Sequence, residues 1–258
     1  MAPTEWYVIS LRPQGGHAAL RAAVARHGGR VLALSPWRLR ARDDAETRDD
    51  LRAALACEKI VFTSPAAVRG ATLLAPLRRR RGQRWLAVGD GTAAALAHAG
   101  IDAAITPARK DSEGLLAMPA LQGLHGASIG LVTAPGGRDL LAETLRQRGA
   151  VLRRADVYAR EPLPLSPRAL QRLQRLRARA CLALSSGEAL TLTLAQLPDQ
   201  AKAKLLRAGV VAASERLAEQ AREAGFARVF RADGPQPAQL AKAAANLFSS
   251  NKAVATRC

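Results

Sequence analysis

Along this chain, short apolar runs alternate with stretches in which apolar residues return every three or four positions. Val8-Ile9-Ser10-Leu11 is one such run, and Leu20 and Val24 then mark the inner face of a helix that stops at His27-Gly28-Gly29. Similar runs predict strands at 31–34, 59–63, 85–88, 102–105, 129–133, 151–152, 180–184, 209–212 and 227–230. Between them, helices are predicted at 44–55, 65–75, 92–99, 113–118, 167–177, 187–196, 214–224 and 236–247. Alternation of strand and helix predicts an α/β fold with parallel sheets covered by helices on both faces. A length of 258 residues suits two such sheets better than one.

The pattern also repeats. Val61-Phe62-Thr63-Ser64-Pro65 is echoed 122 residues later by Ala183-Leu184-Ser185-Ser186-Gly187, and Ser64 to Thr92 spans 28 residues, as does Ser186 to Ser214. The first βα unit has its own echo at Ile129–Thr133, with Gly28 and Gly149 in the same helix-stop position and Trp37 and Tyr158 also 121 apart. Proline-bearing segments follow each first unit, at 36–39 and 156–162. If both are linkers, the repeat is crossed: residues 1–35 plus 163–258 form one domain and 40–155 the other. The linkers would then run side by side as a short ladder. Hydroxyls at strand ends face the crevice where open α/β sheets bind ligands.

Charge narrows the ligand. Lys and Arg number 39 against 21 acids, a net +18, which favours a polyanion. Cys57, Cys181 and Cys258 are scattered and odd in number, which predicts reduced thiols and a cytoplasmic setting. No secretory signal is visible at the N-terminus, and no apolar run approaches the roughly 20 residues of a membrane span. His17, His27, His98 and His125 show no metal-ligand spacing. The run Arg78–Arg84 reads as a solvated loop, with nucleic acid a minor alternative. Gly89-Asp90-Gly91-Thr92-Ala93-Ala94 fits a dinucleotide fingerprint only weakly, because its echo at Ala212-Ala213-Ser214 lacks the glycines.

The ordered set of motifs resembles the uroporphyrinogen-III synthase family over nearly the whole chain. It consists of Leu11-Arg12-Pro13, Phe62–Val68, Val88–Ala93, Ser112–Leu116, Gly137-Arg138, Val157–Arg160, Ser185–Leu190 and Ala213–Ala218. The resemblance implies two flavodoxin-like, doubly wound domains joined by a two-stranded linker, with the active site in the cleft between them. It also implies a cofactor-free lyase without a metal. Hydroxymethylbilane would lose water, pass through a spiro intermediate with its last pyrrole ring inverted, and close to uroporphyrinogen III.

That substrate carries carboxylates on every ring, so helix starts and arginines suit it. The candidate binding residues are Arg12, Thr63, Ser64, Thr92, Ser112, Arg138, Ser185, Ser186 and Ser214, with Tyr158 as the acid that assists the departing hydroxyl. The plainer alternative makes each hydroxyl an N-cap and Tyr158 a linker aromatic, as expected for Trp37. A second class, a non-catalytic binding protein for an anionic ligand or nucleic acid, stays open beside the enzyme. The chain is read as a monomer, with docking of porphobilinogen deaminase left open, and the tail 249–258 as disordered.

Overall fold

The structure is a computed structural model that describes residues 5–136 and 139–254, with side chains through residue 249. In chain order its elements are β1 (Trp6–Ser10), α1 (Ala18–Ala25), β2 (Arg30–Ala33), β3 (Trp37–Ala41), α2 (Ala45–Leu55), β4 (Lys59–Phe62), α3 (Pro65–Leu74), β5 (Arg84–Ala87) and α4 (Asp90–His98). Then come α5 (Ser112–Ala117), a 3-10 turn (Pro119–Leu121), β6 (Ser128–Thr133), α6 (Asp139–Gln147), β7 (Val151–Asp156), β8 (Tyr158–Pro162) and α7 (Pro167–Arg175). The chain ends with β9 (Arg179–Leu184), α8 (Gly187–Gln196), α9 (Asp199–Leu206), β10 (Gly209–Ala212), α10 (Glu215–Glu223), β11 (Val229–Arg231) and α11 (Pro237–Val254).

These elements divide into two compact units, Met1–Arg38 with Glu161–Cys258, and Leu39–Arg160. The first holds a parallel sheet in the order β11-β10-β9-β1-β2, and the second a parallel sheet in the order β5-β4-β6-β7. The predicted linkers pair with each other as the two-stranded sheet β3-β8.

Alternation along the strands decides which side chains face which helices. In the first unit, Ile9 and Leu182 join α8, α9 and α10 through Leu190, Leu205 and Leu217, while Val8 and Cys181 join α1 and α11 through Val24 and Leu240. In the second, Ile60 and Phe62 pack with Leu51, Val68 and Leu96 of α2, α3 and α4. Val61 faces the other way, toward Leu115 and Leu145 of α5 and α6. Each sheet is therefore covered on both faces. Phe62 and Trp85 stack at 5.5 Å between ring centroids within the second core.

Close approach sets two details. Gly28 and Gly149 carry φ of 75° and 83°, the left-handed stop that a Cβ would strain. Gly130, inside β6, lies under the end of α2, where an added Cβ would sit 2.0 Å from the Ala54 carbonyl oxygen.

Several expected elements change. The strand at 102–105 is reduced to one bridge, Leu86 to Ile105, in a stretch interrupted by Asp102 and two alanines. Helix α9 was not expected, because its buried face is only Ala201 and Leu205. The tail expected to be disordered from 249 continues α11 to Val254, and residues 255–258 lie outside the described part.

Candidate functional site: the carboxyl rims of the two sheets

Ligands of open α/β sheets bind beyond the carboxyl ends of the strands, near the point where strand order reverses. That point lies between β1 and β9 in the first unit and between β6 and β4 in the second. Register aligns the strand ends there: Ser10 pairs with Ala183, Leu184 with Ala212, Phe62 with both Ala87 and Val132, and Thr133 with Asp156. Arg12, Ser64, Tyr158, Ser186 and Ser214 each stand two residues past the end of their strand, so all belong to a carboxyl rim.

In the second unit the rim is organised around Ser64 and Tyr158. Ser64 caps α3, its Oγ accepting from the Ala67 N–H at 3.0 Å, and lies 3.1 Å from the Tyr158 phenol oxygen. A hydroxyl can accept and donate at once. When Ser64 gives its own proton to the phenol oxygen, the Tyr158 proton stays free for another acceptor. Tyr158 is 7% exposed, its ring packed into the core that holds Val68 and Phe62. The phenol is therefore held by packing on one side and by the cap on the other.

Thr63 turns inward. It is buried, and its hydroxyl donates to Thr133 Oγ1 at 2.8 Å, tying β4 to β6 at the reversal point. Thr133, not singled out in the sequence, is its partner. Thr92 is also buried, and the helix expected to begin with it begins earlier: Gly89 is the cap residue of α4, and Thr92 sits within the first turn. At α5 the cap is Asp111, which accepts from the Gly114 N–H at 2.8 Å, and Ser112 follows as the first helical residue. Arg138 lies outside the described residues. At the weak dinucleotide fingerprint, the Asp90 carboxylate, in the first turn of α4, pairs with Lys110 Nζ at 2.7 Å.

The first unit carries the remaining candidates. Ser186 caps α8 through the Ala189 N–H at 3.3 Å, with Ser185 exposed just before it, and Ser214 caps α10 through the Leu217 N–H at 3.4 Å. Both helices place an acid in their first turn, Glu188 and Glu215, which partly satisfies the positive helix end. Helices α1 and α3 have no acid there, so their amino ends remain available to an outside anion.

Beside α1 stands Arg12. Its Nε is buried without a hydrogen-bond partner among the described residues, and burial lowers its pKa. A guanidinium donor left without an acceptor is costly, and an incoming carboxylate would satisfy it.

His17 sits between Ser10 and Ser35, with Nδ1 3.0 Å from Ser10 Oγ and Nε2 2.7 Å from Ser35 Oγ. In the sequence His17 shows no metal-ligand spacing and carries no other signal. Burial first, then the charges of Arg21 and Arg12, lower its pKa from 6.5 to about 4. The unfolded chain binds a proton at this position between those values and the folded one does not. Stability should therefore fall as pH drops from 6.5 towards 4, by on the order of 2 kcal/mol. Denaturation midpoints at pH 7.5 and 4.5, compared with those of a His17→Gln variant, check this; an equal fall in both proteins would remove His17 as the cause.

The family model described as uroporphyrinogen-III synthase HemD matches residues 18–242. The uroporphyrinogen-III synthase of Salmonella typhimurium is 33% identical over 162 residues, 62% of this chain and 66% of that protein. The corresponding protein of Escherichia coli K12 is 31% identical over 163 residues, 62% of this chain and 65% of its own length. The matched stretch thus spans just under two thirds of these relatives.

Among solved structures, a mutant uroporphyrinogen III synthase from the extreme thermophile Thermus thermophilus has a TM-score of 0.61 at 20% identity, covering 97% of this chain and 99% of that one. The uroporphyrinogen-III synthetase of Helicobacter pylori 26695 also scores 0.61, at 15% identity, with 95% and 99% covered. These two likenesses show the same two-unit α/β fold. With the family model spanning most of the chain and the sheets, rims and helix starts arranged as above, the chain belongs to the uroporphyrinogen-III synthase family.

Proposed function

We propose that this protein converts hydroxymethylbilane to uroporphyrinogen III, with loss of water and inversion of the terminal pyrrole ring. The observation that carries this reading is Arg12: a guanidinium whose buried Nε lacks a partner among the described residues, at a carboxyl rim, in a chain of net charge +18. Such a donor fits a substrate whose every ring bears carboxylates. In this reading the substrate-contacting groups are Arg12, Ser185, Ser186 and Ser214 on the rim of the first unit, and Ser64 and Tyr158 on the rim of the second. Thr63 and Thr92, buried in their rims, shape the backbone that presents those groups.

Tyr158 has the proton that the chemistry asks for. Its O–H protonates the departing hydroxyl, which leaves as water; the pyrrole ring that carried it then gives up its N–H proton to the phenolate, which restores Tyr158 and leaves the electrophilic azafulvene. The terminal ring then attacks through its substituted carbon to give the spiro intermediate, which fragments and recloses with that ring turned. Departure of the hydroxyl is easy in itself, so the phenol contributes modestly. Holding the chain in the geometry that favours the substituted carbon is the larger task. Tyr158→Phe should therefore lower kcat by about tenfold with little change in KM. Turnover equal to wild type would leave Tyr158 as a packing residue.

The reading itself is tested by a coupled assay. Porphobilinogen deaminase and porphobilinogen generate the bilane, the protein is added, and the oxidised porphyrin isomers are resolved. Isomer III is expected; isomer I alone would favour a non-catalytic binding protein. We place the reaction in the cytoplasm, with the chain acting as a monomer. The buried thiols of Cys57 and Cys181 support a reducing setting, and among the described residues no helix is long and apolar enough to cross a membrane.

A further inference from the structure

The first unit contains a second feature of the carboxyl rim that none of the sequence motifs marks. A cavity of about 450 Å³ opens beyond β1 and β2, lined by Gln14, His17, Ser35, Ser166, Arg168 and Arg172 among others. Its walls come from the loop that carries Arg12, from the residue two past the end of β2, and from the amino end of α7.

The charge of this cavity is one-sided. Arg168 and Arg172 are four apart on α7, so they share a helix face, and neither has an ion pair or side-chain hydrogen bond among the described residues. None of its lining residues is acidic. Between Glu161 and Glu188 the sequence has no Asp or Glu at all, while Arg168, Arg172, Arg175, Arg177 and Arg179 fall within it.

The amino end of α7 is left open to a ligand. No side chain caps the helix, its first turn contains no acid, and Ser166 keeps its hydroxyl out of a cap hydrogen bond. On the opposite wall, His17 holds the Ser35 hydroxyl at 2.7 Å. The cavity thus offers two forked cations and two hydroxyls, and holds no anion of its own. A carboxylate on a short, flexible arm is the chemistry that matches this set.

We propose that this cavity is a subsite for a carboxylate arm of the linear tetrapyrrole, with Arg168 and Arg172 as its anion-binding residues. The proposal rests on the function proposed above and extends the rim past β1 to β2 and α7. Arg168 and Arg172 then act together with Arg12, whose loop forms part of the same wall.

Two double variants separate a local contact from general attraction between opposite charges. Arg168→Ala/Arg172→Ala removes two charges from the cavity. Arg175→Ala/Arg177→Ala removes two from the neighbouring groove, among residues that do not line it. All four side chains are exposed, so neither change disturbs packing. At fixed ionic strength, the first variant should raise KM for hydroxymethylbilane about tenfold with kcat preserved, and the second by less than about twofold.

Equal increases would overturn the subsite and leave only electrostatic steering, as would an unchanged KM in the first variant. The wild-type protein in the same assay reports on the underlying function. Isomer I alone from wild type would overturn both proposals, whereas isomer III from wild type with matched KM values in the two variants would overturn only the subsite.

Discussion

Arg12→Met should raise KM for hydroxymethylbilane about a hundredfold, roughly 2.7 kcal/mol, while making the free protein more stable by about 1 kcal/mol. The opposite signs share one cause. In the free protein the guanidinium is partly removed from water, burial lowers its pKa, and its Nε has no acceptor among the described residues. Methionine keeps a flexible apolar stem and removes the unsatisfied charge, so folding gains. The carboxylate that would have met the charge loses its partner, so binding suffers. Steady-state kinetics and thermal melts read the two effects separately. An unchanged KM would mean that Arg12 does not touch substrate. A lower melting temperature would mean that its stem, rather than its charge, is what the fold uses.

Gly130→Ala should destabilise the second unit by about 3 kcal/mol. The added Cβ would lie 2.0 Å from the Ala54 carbonyl oxygen, a backbone atom at the end of α2, so either β6 or α2 has to move. Flexible side chains could give way; a helix end and a central strand cannot do so cheaply. Because β6 carries Thr133, partner of Thr63 at the reversal point, the displacement would also reach the rim. Urea denaturation measures the loss. A change below about 0.5 kcal/mol would show that the helix end is free to shift, as it would be at a surface site.

Much of this architecture was legible because strand and helix periods differ. Ile60, Val61 and Phe62 alternate between two cores, and the same run ends in Thr63-Ser64 before a proline that starts a helix. Gly28 and Gly149 announced their helix ends because only glycine takes φ near 80° at little cost. The Ser64, Ser186 and Ser214 caps could be read for the same local reason. Helix α9 was not legible, since two buried residues over eight positions give little period. Thr92 lies three residues past the cap position of its helix and Ser112 one residue past. Gly89 and Asp111 compete for the cap position, and local spacing does not choose between neighbouring capping residues.

The site divides along the same line. Residue type and position after a strand mark Ser64, Ser186 and Ser214 as rim residues, because a parallel strand always ends on the same edge of its sheet, whereas Arg12 and Tyr158 became candidates through the family resemblance. What each hydroxyl does once there depends on partners distant in sequence. Ser64 meets Tyr158 across 94 positions, and Thr63 meets Thr133 across 70, which turns one hydroxyl toward the phenol and the other into a strand tie. His17, Ser35 and the arginines of α7 carried no motif, and their cavity exists only because the loop after β1, the end of β2 and the start of α7 converge.

By itself, then, the sequence determined the alternation, the strand ends and the surplus of positive charge, all of which follow from local period and composition. Only the tertiary structure decided which hydroxyls turn inward, that the Arg12 Nε is buried without a partner among the described residues, and where the cavity lies. Those depend on burial and on contacts between segments far apart in the chain.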